Sequence, residues 1–221
     1  VTSSGTDPNG DRFDYLNGEL RKMKVDVIDE HYYRRPEWFL QNAARYDNYD
    51  RSGSKIFAGE YAAQSDKTVS IDNKNNLRTA IAEAAFLTGL ERNADVVMMA
   101  SYAPLFAHVD GWQWTPDLIW VDNLRSYGSA NYQVQKLYST NKGTHTVPAL
   151  FNNKPLTGQD SLYASAVIDK NTNEVIIKVV NSAPIEKETC FAFEGVKKLG
   201  VQALVTVLTG ESLEKVNSLD L

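Results

Sequence analysis

The segment Lys55-Ile56-Phe57-Ala58-Gly59-Glu60 decides the fold, because a short apolar run leads directly into a carboxylate. An apolar run of this length beside turn-forming residues is typical of a buried β-strand. A similar run, Val25-Asp26-Val27-Ile28, precedes it and ends in the polar and aromatic group Asp29-Glu30-His31-Tyr32-Tyr33. Between the two, Pro36 stands where the first position of a helix is expected. The sequence therefore predicts two strands joined by a helix, each strand ending in chemically active side chains.

The alternation of strand and helix extends on both sides of this unit. The remaining elements that the pattern predicts are helices over 13–23, 76–90 and 129–138 and strands over 95–100 and 118–121. Strands that alternate with helices indicate a parallel sheet. A closed (β/α)8 barrel needs eight such units and about 250 residues, whereas about four units fit here. Residues 1–140 are therefore predicted to be α/β, as half of a (β/α)8 barrel.

The pattern changes after residue 140. Short β-rich runs follow at 163–169, 175–181, 189–193 and 202–208, with turns between them and no helical period. A complete β-sandwich has about seven strands. Residues 141–221 are therefore predicted to be part of a second, all-β sandwich domain, and both domains are expected to be incomplete.

Composition argues against several classes of partner. The chain has 221 residues, 43% of them hydrophobic, and a net charge of −5. Nucleic acid is not expected as a partner, because a phosphate backbone requires a concentrated positive surface and no Lys/Arg-rich run is present. The longest apolar run, 96–100, is far below the roughly 20 residues that a membrane helix needs, so no membrane partner is expected.

No cofactor and no metal are expected either. Cys190 is the single cysteine, and His31, His108 and His145 are too far apart in sequence for a zinc motif. The chain starts at Val1 without an initiator Met or an apolar leader. We therefore expect a piece of something longer, and the missing leader leaves the compartment open.

The candidate site lies at the strand ends, where βα barrels place their catalytic groups. Glu60 ends one strand, and His31 and Tyr33 lie at the end of the preceding strand. They are two residues apart, so their side chains point to the same face of the sheet. We expect the Tyr33 hydroxyl to reach a Glu60 carboxylate oxygen, with His31 in the same cleft. The alternative is that Glu60 is an ordinary surface carboxylate. Glu30 is interpreted as part of a surface ion-pair cluster with the arginines that follow, rather than as an acid partner of Glu60.

A long aromatic loop carries Trp112 and Trp114. Carboxylates beside aromatic rings suit sugar chemistry, because sugar faces stack on rings while paired carboxylates attack and protonate the anomeric centre. The two tryptophans are interpreted as substrate-binding residues, with packing against an adjoining domain as an equal alternative.

Three segments together resemble a known family: Asp29-Glu30-His31-Tyr32-Tyr33, Ile56-Phe57-Ala58-Gly59-Glu60-Tyr61, and Tyr102-Ala103-Pro104-Leu105-Phe106 with residues 112–123. They are similar to the second half of the barrel of family 51 α-L-arabinofuranosidases. The resemblance covers roughly residues 1–140 and implies that Glu60 is the nucleophile of a retaining hydrolase. It also implies that His31 and Tyr33 contact the nucleophile and the arabinofuranose.

The same resemblance implies further properties of the protein. A β-sandwich is expected after the barrel, and the substrates are expected to be terminal α-L-arabinofuranosyl groups of arabinan or arabinoxylan. A periplasmic or extracellular location is expected, and a homo-oligomer is left open.

One element of the family pattern is missing from the predicted barrel. The family's acid/base is the Glu of an Asn-Glu pair on an earlier strand, and the only such pair here, Asn173-Glu174, falls in a predicted turn of the β region. The remaining N-terminal part of the same protein is therefore expected to supply the acid/base, and this chain alone is expected to be inactive. Two alternatives stay open: a noncatalytic carbohydrate-binding module that uses the tryptophan loop, and a retaining hydrolase for another sugar.

Overall fold

The computed structural model describes residues 1–196 and 198–220 of the chain. Its main sheet has four parallel strands in the order β1-β2-β3-β4. These strands are β1 (Thr2–Ser3), β2 (Val27–Arg34), β3 (Lys55–Ala63) and β4 (Val97–Tyr102). The helices between them are α1 (Asp11–Lys22), α2 (Pro36–Gln41) and α3 (Leu77–Arg92). The predicted alternation of strand and helix around a parallel sheet is confirmed.

Local sequence signals set the limits of α3. The Asn76 side chain caps its first turn by accepting a hydrogen bond from the Thr79 backbone N–H at 3.0 Å. At the other end, the Asn93 side chain donates to the Gly89 carbonyl at 2.9 Å. A Cβ at Gly89 would lie 2.0 Å from the Ala43 carbonyl oxygen. The glycine therefore allows α3 to pack directly against the chain that follows α2.

A segment near the C-terminus completes the capping of α3. The Leu77 backbone N–H donates to the Lys215 carbonyl at 3.0 Å, and the Arg78 N–H donates to the Leu213 carbonyl at 2.9 Å. The Asn76 side chain also donates to Glu214 Oε2 at 2.7 Å. The backbone N–H groups of the first turn of a helix have no hydrogen-bond acceptors within the helix. Residues 213–215 therefore satisfy donors of a helix that begins far earlier in the chain.

One face of the parallel sheet packs against the helices and forms the core. Ile28 and Tyr32 of β2, and Ile56 and Tyr61 of β3, are fully buried on this side. The Phe86 ring of α3 contacts both tyrosines, with centroid distances of 5.4 Å and 6.4 Å. Side chains alternate along a strand, so the odd-numbered residues at the end of β2 point to the opposite face.

The opposite face of the sheet is less covered. Asp29, His31 and Tyr33 of β2 are only partly buried on this face, whereas the residues between them are fully buried on the helix side. Parallel sheets are normally covered on both faces. The open face therefore leaves the ends of β2 and β3 accessible.

A small second sheet follows β4. It consists of β5 (Phe106–His108), β6 (Ile119–Val121) and β7 (Ser126–Gly128), and α4 (Ala130–Thr140) comes after it. The strand predicted over 118–121 therefore belongs to this sheet and not to the parallel one. The reason is that β6 pairs in parallel with β5, the strand that follows β4 in the chain. Together with β7 these strands form a sheet that is separate from the parallel one.

After α4, every pair of described strands is antiparallel. The strands are β8 (His145–Val147), β9 (Leu150–Phe151), β10 (Lys154–Pro155), β11 (Leu162–Asp169) and β12 (Glu174–Asn181). The larger sheet has the order β12-β11-β8, and β9 pairs with β10. Tyr163 and Val180 of this sheet belong to the same buried cluster as Phe86 of α3. The antiparallel region therefore shares a core with the α/β region.

Two predicted strands of the β region are wrong. Residues 189–193 and 202–208 form no strand, and none of the described strands pairs with them. Val201 and Leu204 are 98% and 97% exposed. Alternating apolar residues favour a β-strand, but a stable strand also needs a neighbouring strand as hydrogen-bond partner. These two segments have no such neighbour in the described structure.

Within 1–196 and 198–220, the helices are all too short or too polar to cross a membrane. The same residues contain no group of three or more His, Cys, Asp or Glu side chains that could hold a metal ion.

Candidate active site

The C-terminal ends of β2 and β3 bring three of the predicted site residues together. The two strands pair in parallel, and a register shift between Glu30 and His31 places His31 opposite Glu60. Such an irregularity re-aims the side chains that follow it. It brings the end of β2 into position beside Glu60.

Glu60 is held by polar contacts from β2. The Tyr33 hydroxyl donates a hydrogen bond to Glu60 Oε2 at 2.7 Å, and His31 Nδ1 lies 3.6 Å from the same oxygen. The Glu60 side chain is 45% exposed, so its carboxylate does not point into the core between helices and sheet. The hydrogen bond expected from the sequence is present, while the catalytic and substrate-binding roles of these residues remain predictions.

The Tyr33 hydroxyl is suited to remain a donor. Burial, followed by the hydrogen bond to Glu60, raises the pKa of Tyr33 well above its usual range. The hydroxyl therefore keeps its proton at neutral and moderately alkaline pH.

Asp29 is a fourth member of the site, which sequence reasoning missed. Its Oδ2 lies 2.9 Å from His31 Nε2, and the Asp29 and His31 side chains are only 18% and 12% exposed. The signal was present in the sequence, because Asp29 has the same side-chain parity as His31 and Tyr33. The imidazole therefore lies between two carboxylates.

Gly59 makes room for Asp29. A Cβ at position 59 would lie 2.0 Å from Asp29 Oδ1, which is closer than any real contact. The absence of a side chain just before Glu60 therefore allows the Asp29 carboxylate to lie against β3.

The prediction for Glu30 is wrong. Glu30 is fully buried on the helix side of the sheet, because even-numbered residues of β2 point into the core. Its carboxylate accepts hydrogen bonds from Asn17 Nδ2 at 3.0 Å, from the Tyr46 hydroxyl at 3.1 Å and from the Tyr32 hydroxyl, and Arg45 lies 3.5 Å away. A buried carboxylate is tolerated only with such partners. Glu30 is therefore a core residue and neither a surface ion-pair member nor an acid partner of Glu60.

The predicted tryptophans lie in the loop that precedes β6. Trp112 and Trp114 are 40% and 49% exposed. The Trp112 ring packs edge-to-face on Trp120, with centroids 6.3 Å apart, and both line a cavity of about 200 Å³ together with Tyr127. In the described part of the chain, no hydrogen bond or ring contact joins either predicted tryptophan to Glu60. The structure thus does not bring the tryptophans into contact with the carboxylate group.

Comparison with known proteins identifies the family. Residues 59–221 match the model of the α-L-arabinofuranosidase C-terminal domain. The chain is 50% identical over 155 residues to an extracellular exo-α-L-arabinofuranosidase of Streptomyces chartreusis, covering 70% of this chain and 18% of that protein. It is 34% identical over 198 residues to α-L-arabinofuranosidase 2 of Arabidopsis thaliana, covering 88% of this chain and 28% of that protein. The chain thus spans less than a third of the length of these curated relatives.

Solved structures agree with the sequence matches. An arabinose-bound family 51 α-L-arabinofuranosidase superposes with a TM-score of 0.63 at 32% identity, over 77% of this chain and 31% of that one. The family 51 arabinofuranosidase of Xanthomonas axonopodis pv. citri superposes with a TM-score of 0.53 at 18% identity, over 81% and 42%, and shows the fold alone. By family match, sequence identity and structural likeness, this chain belongs to the α-L-arabinofuranosidases of glycoside hydrolase family 51 and corresponds to their C-terminal part.

Proposed function

We propose that this chain supplies the nucleophile, Glu60, of a retaining glycosidase that releases terminal α-L-arabinofuranosyl groups. The observation that carries the proposal is the 2.7 Å hydrogen bond from Tyr33 to Glu60 at the open C-terminal edge of a parallel sheet. A retaining enzyme needs a charged carboxylate aimed at the anomeric carbon, and a second carboxylic acid about 5 Å away.

We propose different tasks for the two oxygens of Glu60. Tyr33 and His31 both lie beside Oε2, and no hydrogen bond to Oε1 is present in the described structure. In the proposed reaction, Oε1 attacks the anomeric carbon while the leaving oxygen takes a proton from the second carboxylic acid. Water, activated by that same group, then hydrolyses the glycosyl ester and regenerates Glu60.

The second carboxylic acid is proposed to come from the remaining N-terminal part of the same protein. The Asn-Glu pair of this chain is unsuited to the task, because Asn173 lies in the turn before β12 and Glu174 is the exposed first residue of that strand. The short coverage of the longer relatives supports a missing portion.

The same comparison supports a proposal for the architecture. We propose that residues 1–140 form the C-terminal half of the catalytic (β/α)8 barrel, and that residues 141–221 form part of a β-sandwich. The open face of the parallel sheet supports the first half of this proposal, because the inside of a barrel would cover it. The substrates would be arabinan or arabinoxylan, and the extracellular relative favours an extracellular or periplasmic location.

The deciding experiment is chemical rescue in the intact protein that carries this chain. Glu60→Ala should lower turnover of an aryl α-L-arabinofuranoside by several orders of magnitude, and added azide should restore part of it as arabinosyl azide of inverted configuration. Glu37→Ala, at an exposed glutamate of α2, is the matched control and should keep wild-type turnover. Azide product of retained configuration would instead make Glu60 the acid/base.

Noncatalytic carbohydrate binding is a second candidate function, favoured by the half-exposed Trp112 in the aromatic cavity. It predicts that the chain binds arabino-oligosaccharides, that Trp112→Ala abolishes this binding, and that Glu60→Ala does not. Turnover of aryl xylosides or glucosides above that of arabinofuranosides would point instead to a retaining hydrolase for another sugar.

A further inference from the structure

The proposed mechanism assigns no task to Asp29, yet Asp29 lies closer to the imidazole of His31 than Glu60 does. Asp29 Oδ2 is 2.9 Å from Nε2, whereas Glu60 Oε2 is 3.6 Å from Nδ1. Each ring nitrogen therefore faces a different carboxylate. The shorter contact is the one to Asp29, and the longer is the one to the proposed nucleophile.

The fold fixes Asp29 on three sides. The Asp29 backbone carbonyl accepts hydrogen bonds from the Ser4 N–H at 2.9 Å and from the Ser4 hydroxyl at 3.1 Å, which ties β2 to the chain after β1. The Oδ1 atom is buried, lies against Gly59 and has no hydrogen-bond partner in the described structure. The carboxylate is thus restrained by its backbone, by β3 and by the imidazole.

This arrangement determines which ring nitrogen carries a proton. An ionised carboxylate only accepts hydrogen bonds, so the 2.9 Å contact requires a proton on Nε2. Nε2 then stays protonated in both the neutral and the charged ring, and Nδ1 is the atom that gains or loses a proton. Nδ1 is buried, faces Glu60 and has no hydrogen-bond partner in the described part of the chain.

We propose that Asp29 is a positioning residue that acts through His31, fixing the Nε2-protonated ring and directing Nδ1 toward Glu60. The proposal rests on the proposed role of Glu60 as nucleophile. When the ring is charged, the second proton lies on Nδ1 and places a positive charge beside the Glu60 carboxylate. Without Asp29 the ring is free to turn or to move its proton to Nδ1.

The ring proton can be observed directly. The chain contains three histidines, so ¹⁵N-labelled protein gives few imidazole signals, and His31→Gln identifies those of His31. We expect the neutral ring of His31 to be protonated on Nε2 in the wild type. Asp29→Asn should introduce the Nδ1-protonated form, because an amide both donates and accepts. Asp26→Asn, at an exposed aspartate just before β2, is the matched control and should leave the spectrum unchanged.

Kinetics of the intact protein test the consequence for the reaction. Asp29→Asn should lower kcat by about 10- to 100-fold, with a smaller change in KM and an altered pH profile, because a misplaced group beside the reacting atoms costs rate. Asp26→Asn should keep the wild-type profile. Thermal unfolding shows whether each variant is folded, and Gly59→Ala, which displaces the same carboxylate, serves if Asp29→Asn does not fold.

The outcomes separate the two proposals. An Nδ1-protonated ring in the wild type, or an unchanged ring in Asp29→Asn, would overturn the positioning role of Asp29, as would wild-type kcat in a folded Asp29→Asn. A further outcome is that azide rescue shows Glu60 not to be the nucleophile while the ring proton behaves as expected. That result would contradict the proposed function and would support the pairing of Asp29 with His31.

Discussion

At the scale of single residues, Tyr33 makes the closest polar contact to Glu60, and its removal is the simplest test of the site. Tyr33→Phe deletes the hydroxyl that donates to Oε2 at 2.7 Å and leaves the ring. We expect kcat of the intact protein to fall by about 100-fold, as it does when one fixed donor is removed from other active sites. Tyr15→Phe, at an exposed tyrosine of α1, should have no effect on turnover. Equal kcat values for the two variants would show that the hydrogen bond has no catalytic value.

Gly59 offers a test by addition of a single carbon atom. Gly59→Ala places a Cβ 2.0 Å from Asp29 Oδ1, so the carboxylate or β3 must move. We expect at least a tenfold loss of kcat, because the movement occurs next to Glu60. The control is Gly18→Ala in α1, where nothing lies within 4 Å of the added atom and helix propensity gives up to about 1 kcal/mol of stabilisation. Wild-type turnover in Gly59→Ala would mean that the close approach of Asp29 is unimportant.

The sequence predicted the contact between Tyr33 and Glu60 correctly, but it misplaced Glu30. The parity of β2 predicted that His31 and Tyr33 share the side of Glu60, and the contact is present. The same parity should have placed Glu30 in the core, but its charge and the neighbouring arginines suggested a surface residue. The donors that make its burial tolerable, Asn17 and Tyr46, lie in other elements and are brought together only by the fold.

At the scale of elements, α3 contains a buried carboxylate that makes stability depend on pH. Burial raises the pKa of Glu83 to about 8, although the Ala63 N–H donates to it at 2.8 Å. The folded state therefore holds a proton that the unfolded state loses at its ordinary pKa near 4.5. The contribution of Glu83 to the free energy of unfolding is fully present below that pH, and it is lost as the pH rises to about 8.

Glu83→Gln imitates the protonated side chain and should remove this dependence. We expect its Tm to exceed that of the wild type by about 5 °C or more at pH 9, and to differ little at pH 4. Glu211→Gln, at an exposed glutamate, is the control. A pH-independent difference in Tm between Glu83→Gln and wild type would contradict the assignment of the proton to Glu83.

The elements themselves were predictable where local signals are strong. The expected helix over 76–90 is found at Leu77–Arg92, and the expected strand over 55–60 is found at Lys55–Ala63. Capping residues and apolar periodicity are local properties, so they can be recognised without the fold. The wrong strands at 189–193 and 202–208 show the limit, because a strand depends on a distant neighbour as well as on its own residues.

At the scale of the whole molecule, the 221-residue chain should be unable to turn over its substrate alone. The proposed reaction needs a second carboxylic acid beside Glu60, and we assign it to the N-terminal part of the protein. We expect no turnover of an aryl α-L-arabinofuranoside by the isolated chain above that of its Glu60→Gln variant, while the intact protein is active. Turnover above this control would show that the chain contains its own acid/base.

The two regions of the molecule are joined by more than apolar packing. Lys178 of β12 and Glu91 of α3 form an ion pair whose side chains are 11% and 14% exposed. The predicted change of architecture near residue 140 rests on the period of the apolar pattern, which changes there. The pattern gave no indication of this ion pair, whose members are 87 residues apart.

The capping of α3 by residues 213–215 has a consequence for how the protein is made. The Asn76 and Glu214 side chains that meet at this helix end are 138 residues apart. During translation, α3 leaves the ribosome long before its distal partners are synthesised, and closing so large a loop is slow. The nascent helix therefore carries an unfinished first turn until residues 213–215 have been synthesised and have reached it. The arrival of residues 213–215, rather than emergence of the helix, sets the moment at which this part of the protein reaches its final structure.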